Sequence, residues 1–469
     1  MGNKSIISTL IIALITSSAL GQKRLGPPIK TPDTFRGLDT RIQPDSTSLG
    51  ELKWFEVFQD EELQKLIRTA FVQNYDLRQA VARVNAARAN LGIRRSEQFP
   101  QFEAGADITT LGLSRNGQNS SFSGSSRKRT FGEVLIGLLS FELDVWGRLR
   151  KQTKAARAEL AASEEDRRTV MTLIVGDVAT NYFRLTELDA ELRISQRTLA
   201  TREHSLQIIR LRQREGVATL LDVRQAEQLV YSAAQTIHQI ERSIEETENQ
   251  IALLLGQNPS SIARGQLLDE QKQPPSVPTG LPSSLLERRP DIRAAEQLLI
   301  AADANVGVAK AAYFPRISLT GFLGFQSDQL SSLFSGPSGV WSFVPQLTQP
   351  IFTAGRLKSN VRFAKAQQEF AVVEYERRIQ TAFSEVSNAL VEYRKAKEIR
   401  TQQELLTHTL RDRSRLAYVR YQGGIDTLLS ALDADRDLFD AELSLAQTKR
   451  DELVALVQLY KALGGGWQS

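Results

Sequence analysis

Phe314-Pro315-Arg316-Ile317-Ser318-Leu319-Thr320-Gly321-Phe322-Leu323-Gly324-Phe325 marks the point where one kind of structure gives way to another. Ile317, Leu319, Gly321, Leu323 and Phe325 fall on one side of an extended chain and Ser318 and Thr320 on the other, the period-two pattern of a strand with one apolar side. The residues ahead of Pro315 carry helical spacing, which a proline and its restricted predecessor bring to an end. The same junction stands earlier, at Phe99-Pro100, and the coincidence extends both ways along the chain. Tyr75-Asp76-Leu77-Arg78, Asn90, Gly92, Phe99 and Pro100 recur as Pro290-Asp291-Ile292-Arg293, Asn305, Gly307, Phe314 and Pro315, displaced by 215 positions (100 to 315). Downstream, Gly147-Arg148-Leu149 recurs as Gly355-Arg356-Leu357, and Gly216 with Thr219-Leu220-Leu221 recurs as Gly424 with Thr427-Leu428-Leu429, now displaced by 208 (216 to 424). The seven-residue change lies within the strand region. The duplication predicts two copies of one unit, hairpin at one end and helices elsewhere, in a pseudo-twofold protomer.

Working outward, Asp60 opens a helix bearing Leu63, Leu66, Ile67, Ala70, Leu77, Val81 and Val84 that continues toward Pro100. Its repeat starts after Pro282, with Ser283 and Ser284 as cap candidates, and runs to about Ala312. The hairpins are expected at about 101–145 and 316–352, with return strands at 133–145 and 339–352 and polar connections at 114–128 and 327–338. Trp146, Trp341 and Phe343 are candidate membrane-interface aromatics, and Pro345 calls for an edge or a bulge. Four strands cannot close a barrel, for which about eight is the practical minimum. An open edge in lipid leaves backbone groups unpaired. Closure therefore needs several chains, and three would supply twelve strands.

Between Gly147 and Gly216 the pattern predicts a helix of roughly 100 Å, followed by a return helix. Met171, Val178, Leu185, Leu192, Leu199 and Leu206 recur every seven residues, with Ile174, Leu188 and Ile209 three further on, a coiled-coil seam. The second copy keeps Ile379, Phe383, Val386, Leu390 and Tyr393. Ala155, Ala156, Ala158, Ala161 and Ala162 would let backbones approach near the strand end.

Composition narrows the function. Lys4, the apolar run 6–15 and Ala19-Leu20-Gly21 read as a secretory signal peptide over 1–21, and no later stretch is apolar for long enough to make a membrane helix. An extended arm follows over 22–59, then a first repeat over 60–270, a Pro-rich linker over 271–282, a second repeat over 283–465 and a tail over 466–469. With no cysteine there is neither a disulfide nor a thiolate metal site. The 59 Lys and Arg against 54 Asp and Glu are dispersed along helices, which argues against a nucleic-acid partner. His204, His238 and His408 are not spaced as a metal cluster, no phosphate-binding loop or nucleophile motif occurs, and neither an enzyme nor a cofactor is expected.

The chain resembles the TolC-like outer-membrane efflux channels, in particular the multidrug-efflux branch. The resemblance rests on Trp54-Phe55 with Phe58, Glu142-Leu143-Asp144-Val145-Trp146-Gly147-Arg148, Arg288-Arg289-Pro290-Asp291-Ile292, Ala312-Tyr313-Phe314-Pro315, Gln349-Pro350-Ile351-Phe352 and Tyr460-Lys461-Ala462-Leu463-Gly464-Gly465-Gly466-Trp467. It implies a mainly α trimeric architecture: a twelve-stranded outer-membrane β-barrel, four strands per chain, continued by a long helical coiled-coil barrel through the periplasm. It also implies a periplasmic adaptor and an inner-membrane pump, of RND type or ATP-driven, as partners. Many members of the branch carry a lipidated Cys near the mature N-terminus, where Gln22 stands here, so contact with outer-membrane lipid rests on the barrel.

The run from Tyr421 to Asp433 resembles the family's periplasmic constriction. Leu429 and Asp433, at i and i+4, share one helix face and would form an apolar and an anionic ring in a trimer. Asp426 replaces a basic residue, and Ser430 a second acidic one, found in some relatives. Asp222, the counterpart of Ser430, is either a tether to a neighbouring helix pair through Tyr421 or an ordinary helix cap. Arg214, Glu215, Gly216, Gly423 and Gly424 are expected at the adaptor-facing tips, the glycines supplying left-handed backbone. The leading expectation is an efflux exit duct. A type I protein-secretion channel and a periplasmic coiled-coil protein without a pore are the alternatives.

Overall fold

The computed structural model describes residues 48–112, 128–271 and 282–467. The signal segment 1–21, most of the arm, positions 113–127, most of the Pro-rich linker and positions 468–469 lie outside the described residues. The chain runs α1 (Trp54–Val57), α2 (Glu61–Gln73), α3 (Tyr75–Ser96), β1 (Phe102–Gly112), β2 (Lys128–Leu143), α4 (Arg148–Arg214), α5 (Leu220–Leu254), and then repeats itself as α6 (Leu285–Arg288), α7 (Pro290–Ala311), β3 (Arg316–Ser327), β4 (Gly339–Thr348), α8 (Arg356–Gln422) and α9 (Leu428–Ala462).

The single helix expected after Asp60 is two helices. Asp60 caps α2, accepting from the Glu62 and Leu63 amides, but Asn74 leaves helical geometry at ψ 132°. Its side chain accepts from Leu77 N to cap α3 and donates to Leu254 O of α5 at 2.8 Å. The second repeat breaks at the equivalent place, where Arg289 is extended because it precedes Pro290, and Ser283 and Ser284 form a 3-10 turn ahead of α6. These breaks fold the short helices against the middle of α4 and the C-terminal part of α9, where Trp54, Phe58, Leu63, Ile67, Tyr182, Leu185, Ile292, Leu459 and Tyr460 form the main core. Asp60 is almost fully buried and accepts from Tyr182 Oη at 2.8 Å, Gln266 N at 2.9 Å and Gln271 Nε2 at 2.9 Å. Burial raises its pKa, but those hydrogen bonds outweigh it and hold the carboxyl below its ordinary value.

The strands form one antiparallel sheet in the order β1-β2-β3-β4. The register aligns Ala104, Ile136, Leu323 and Trp341 across all four strands, with Phe102, Ile108, Val134, Leu319, Phe325 and Phe343 on the same face. Glu103, Asp107, Glu133, Glu142, Arg316 and Gln326 occupy the other face. A bulge in β2 between Leu138 and Phe141 adds one residue relative to β3, which reverses the alternation and brings Glu142 to the polar side. Pro345 sits on β4, an edge strand of the protomer's sheet. β4 stops at Thr348 rather than at Phe352, just ahead of Pro350, which has no amide to donate. Among the described residues no helix is long and apolar enough to cross a membrane.

Each hairpin leads into a helix through a left-handed glycine, Gly147 at φ +74° and Gly355 at φ +84°. The two long helices both contain 67 residues, about 100 Å, and both return helices contain 35. The heptad seam is inside: Val178, Leu185, Leu188, Leu206 and Ile209 are buried in α4, as are Ile379, Val386 and Leu390 in α8. Near the sheet, Ala155 and Ala158 of α4 pack on Ala301 and Ala304 of α7, so small side chains set that close approach.

Candidate functional site at the helix tips

Far from the sheet, α4 turns into α5 and α8 into α9 by the same device. Gly216 (φ +75°) and Gly424 (φ +72°) adopt left-handed backbone. Val217 N donates to Arg212 O at 2.8 Å and Ile425 N to Arg420 O at 3.0 Å, closing the helix ends. Arg214 ends α4, Glu215 is its C-terminal cap residue, and Gly423 is the corresponding cap of α8. Thr219 and Thr427 then cap the return helices. Around these turns Leu220, Leu221, Val217 and Ile425 are exposed.

Asp222 closes a capping box with Thr219, accepting from its amide at 2.7 Å and its hydroxyl at 2.8 Å. Tyr421 lies beneath Arg212, whose guanidinium carbon is 4.9 Å from the ring centroid, and packs against a small apolar cluster of Leu206, Ile209, Val223, Ala226, Val230, Leu428 and Leu432. Within one protomer, therefore, Asp222 serves its own helix and Tyr421 joins the pair α8/α9 to α4. Asp426 accepts from Thr427 N at 2.8 Å and Arg420 Nε at 3.3 Å. The backbone hydrogen bond from Thr427, then Ser430 and Arg420, hold its pKa below the usual carboxylate value. Leu429 is half exposed, and Asp433 is partly exposed with Arg436 at 3.3 Å. Asp426, Ser430 and Asp433 line one groove of about 550 Å³ with Asp412, Arg413 and Arg420 of α8.

Sequence reasoning did not find the ionic ladder behind this groove. Arg202 of α4 meets Asp435 of α9, Arg197 meets Glu442, and Gln447 donates to Glu191. One signal was available: Arg202 stands three residues beyond Leu199, at the seam position that Ile174, Leu188 and Ile209 fill in three of the heptads, with Asn181 and Ser195 in two others. The described residues contain no group of His, Asp and Glu arranged to hold a metal ion.

The architecture and the duplicated tips find their match in one family model, outer membrane efflux protein, over residues 66–257 and 281–465. The chain belongs to that family. The toluene efflux pump outer membrane protein TtgC of Pseudomonas putida is 38% identical over 99% of this chain and 96% of its own length. The outer membrane protein OprJ of Pseudomonas aeruginosa is 35% identical over 98% and 96%. The open-state Neisseria gonorrhoeae MtrE outer membrane channel superposes with a TM-score of 0.84 at 34% identity, over 94% of this chain and 97% of that one. As an outer membrane efflux protein the chain is a passive exit channel, not an enzyme, placed in the outer membrane with its helical part in the periplasm. Outer membrane efflux proteins work with periplasmic adaptors and inner-membrane pumps.

Proposed function

We propose that three copies of the chain surround a common axis, so that twelve strands, four from each, close a barrel in the outer membrane and the α4/α5 and α8/α9 pairs continue it as a conduit. One observation carries this reading: a four-stranded sheet with one apolar face and two unpaired edges, β1 and β4, can satisfy its backbone in lipid only by pairing with other copies. Each repeat, 60–270 and 283–465, then contributes one hairpin to the barrel and one helix pair to the conduit. The apolar face meets lipid, and Glu103, Asp107 and Glu133 line the lumen.

Leu429 and Asp433 form the constriction at the periplasmic end, Asp426 and Tyr421 hold the inner turn, and Asp222 holds the outer one. The tips at Arg214, Glu215, Gly216, Gly423 and Gly424 meet a periplasmic adaptor, with an inner-membrane pump of RND type or an ATP-driven one behind it. Relatives named for toluene, antibiotic and solvent efflux support small apolar or amphipathic toxic molecules as cargo. Deletion in the parent bacterium tests the cargo class. Sensitivity to such compounds is the expected result, and loss of a secreted polypeptide without it would favour the protein-secretion alternative.

A further inference from the structure

The two repeats treat one carboxylate differently. Glu227 of α5 and Asp435 of α9 are counterparts at the displacement of 208 (227 to 435). Glu227 is held within its own helix pair and neighbourhood by Arg210 at 2.8 Å and Arg224 at 2.6 Å, both substantially exposed. In the second repeat the position of Arg210 is taken by Tyr418, and the cation comes instead from the first repeat. Arg202 of α4 is 4% exposed. Its Nε donates to Asp435 Oδ2 at 2.8 Å, its Nη1 donates to Leu229 O of α5 at 3.1 Å, and its guanidinium lies 4.8 Å from the Phe439 ring centroid of α9. One buried cation thus joins α4, α5 and α9.

Two consequences follow from its place. Asp433 and Asp435 are two residues apart, about 200° around a helix, so drawing Asp435 inward turns Asp433 to the opposite face. Toward the tip, among the described residues, no ion pair crosses from α4/α5 to α8/α9. The crossing contacts there include the Arg212–Tyr421 stack, a hydrogen bond between the Ser205 and Tyr418 side chains, and the small apolar cluster. Separating Arg202 from Asp435 would strand a buried charge, whereas the contacts below it part without one.

We propose that Arg202 is the positioning residue of the gate: its pair with Asp435 sets the rotation of α9 that presents Leu429 and Asp433, and it marks the fixed end of the tip segment that moves on opening. From Arg202 to Arg214 that segment of α4 is about 18 Å long. The inference rests on the constriction reading above, which the test must separate from it.

The test is single-channel recording of the purified full-length protein in planar bilayers, with thermal unfolding measured alongside. Arg202→Leu combined with Asp435→Leu replaces the buried pair by apolar side chains. It is expected to unfold near the wild-type temperature, yet to raise resting conductance about fivefold or more and to lower cation preference, with Arg202→Lys in between. Arg400→Leu with Glu452→Leu, which removes a pair between α8 and α9 higher up in which only the carboxylate is buried, is expected to leave both readings unchanged. Wild-type conductance and selectivity in folded Arg202 variants overturn the proposal; should the leucine pair fail to assemble, Arg202→Lys decides it alone. Asp433→Ala separates the two failures. If it changes the current and the Arg202 variants do not, only the positioning role falls; if Asp433→Ala is silent, the constriction reading falls and takes this one with it.

Discussion

Asp433 is a partly exposed carboxylate whose close partner, Arg436, stands one turn along on the same helix. That pair is cheap to break in water and worth well under about 1 kcal/mol to the fold. Its removal should therefore alter ion passage more than assembly. Asp433→Ala is expected to lower the cation-to-anion permeability ratio and raise conductance in planar bilayers, with unfolding temperature unchanged; an unaltered ratio would remove Asp433 from the constriction. Leu429 and Asp433 could be nominated from the sequence because the family resemblance covers them, whereas Arg202 was hidden by its type. An arginine among heptad leucines reads as surface until the fold reveals that Asp435, 233 positions away, shares its burial.

At the scale of the element, the long helices were readable because seven-residue spacing persists through α4 and glycines, Gly147 and Gly216, punctuate its ends. The break at Arg289 is written in the sequence as Pro290, but that at Asn74 was less plain: Asn74 has helical neighbours on both sides, and only the fold shows its side-chain amide donating to Leu254 O of α5. The bulge in β2 is likewise a property of two strands in register, invisible in either alone. Inside α4 lies a second kind of hidden feature, a buried carboxyl pair. Glu187 is completely buried, hydrogen-bonded to Glu191 and faced by Arg184 at 3.0 Å and by Arg450 of α9. Burial first, then the Glu191 charge, push its pKa up to about 7, and the two arginines offset only part of this. A carboxyl whose folded pKa lies above its unfolded value of 4.5 supports folding while protonated, and loses that support as pH rises from about 4.5 through 7. Glu187→Gln is accordingly expected to be more stable than the parent protein at pH 8, by about 1–3 kcal/mol per chain, and equal to it near pH 4.5. Thermal unfolding at the two pH values checks this, and a gain only at the acidic end would contradict it.

The whole molecule is governed by what one chain leaves unfinished. Both edges of its sheet are unpaired within the protomer, and Ile351 and Phe352, immediately after β4, are 96% and 88% exposed. Phe363 and Phe370 continue that apolar exposure along α8. A monomer in detergent would keep these surfaces covered only by surfactant. Light scattering of the detergent-solubilised protein is expected to return three chains per particle, and a stable monomer that retains its sheet would refute the shared barrel.

Equal helix lengths have a practical corollary for protein engineering. With 67 residues in both long helices and 35 in both return helices, the two turns of a protomer end level, and between the matched helices the copies differ in length around their strands. An epitope tag placed in the connection 328–338 adds length where the two copies already disagree. A single residue added to α4 would rotate every later seam position by about 100° and stagger one tip against the other. Foreign sequence belongs at the hairpin ends, and the helical wall should accept substitutions but no additions.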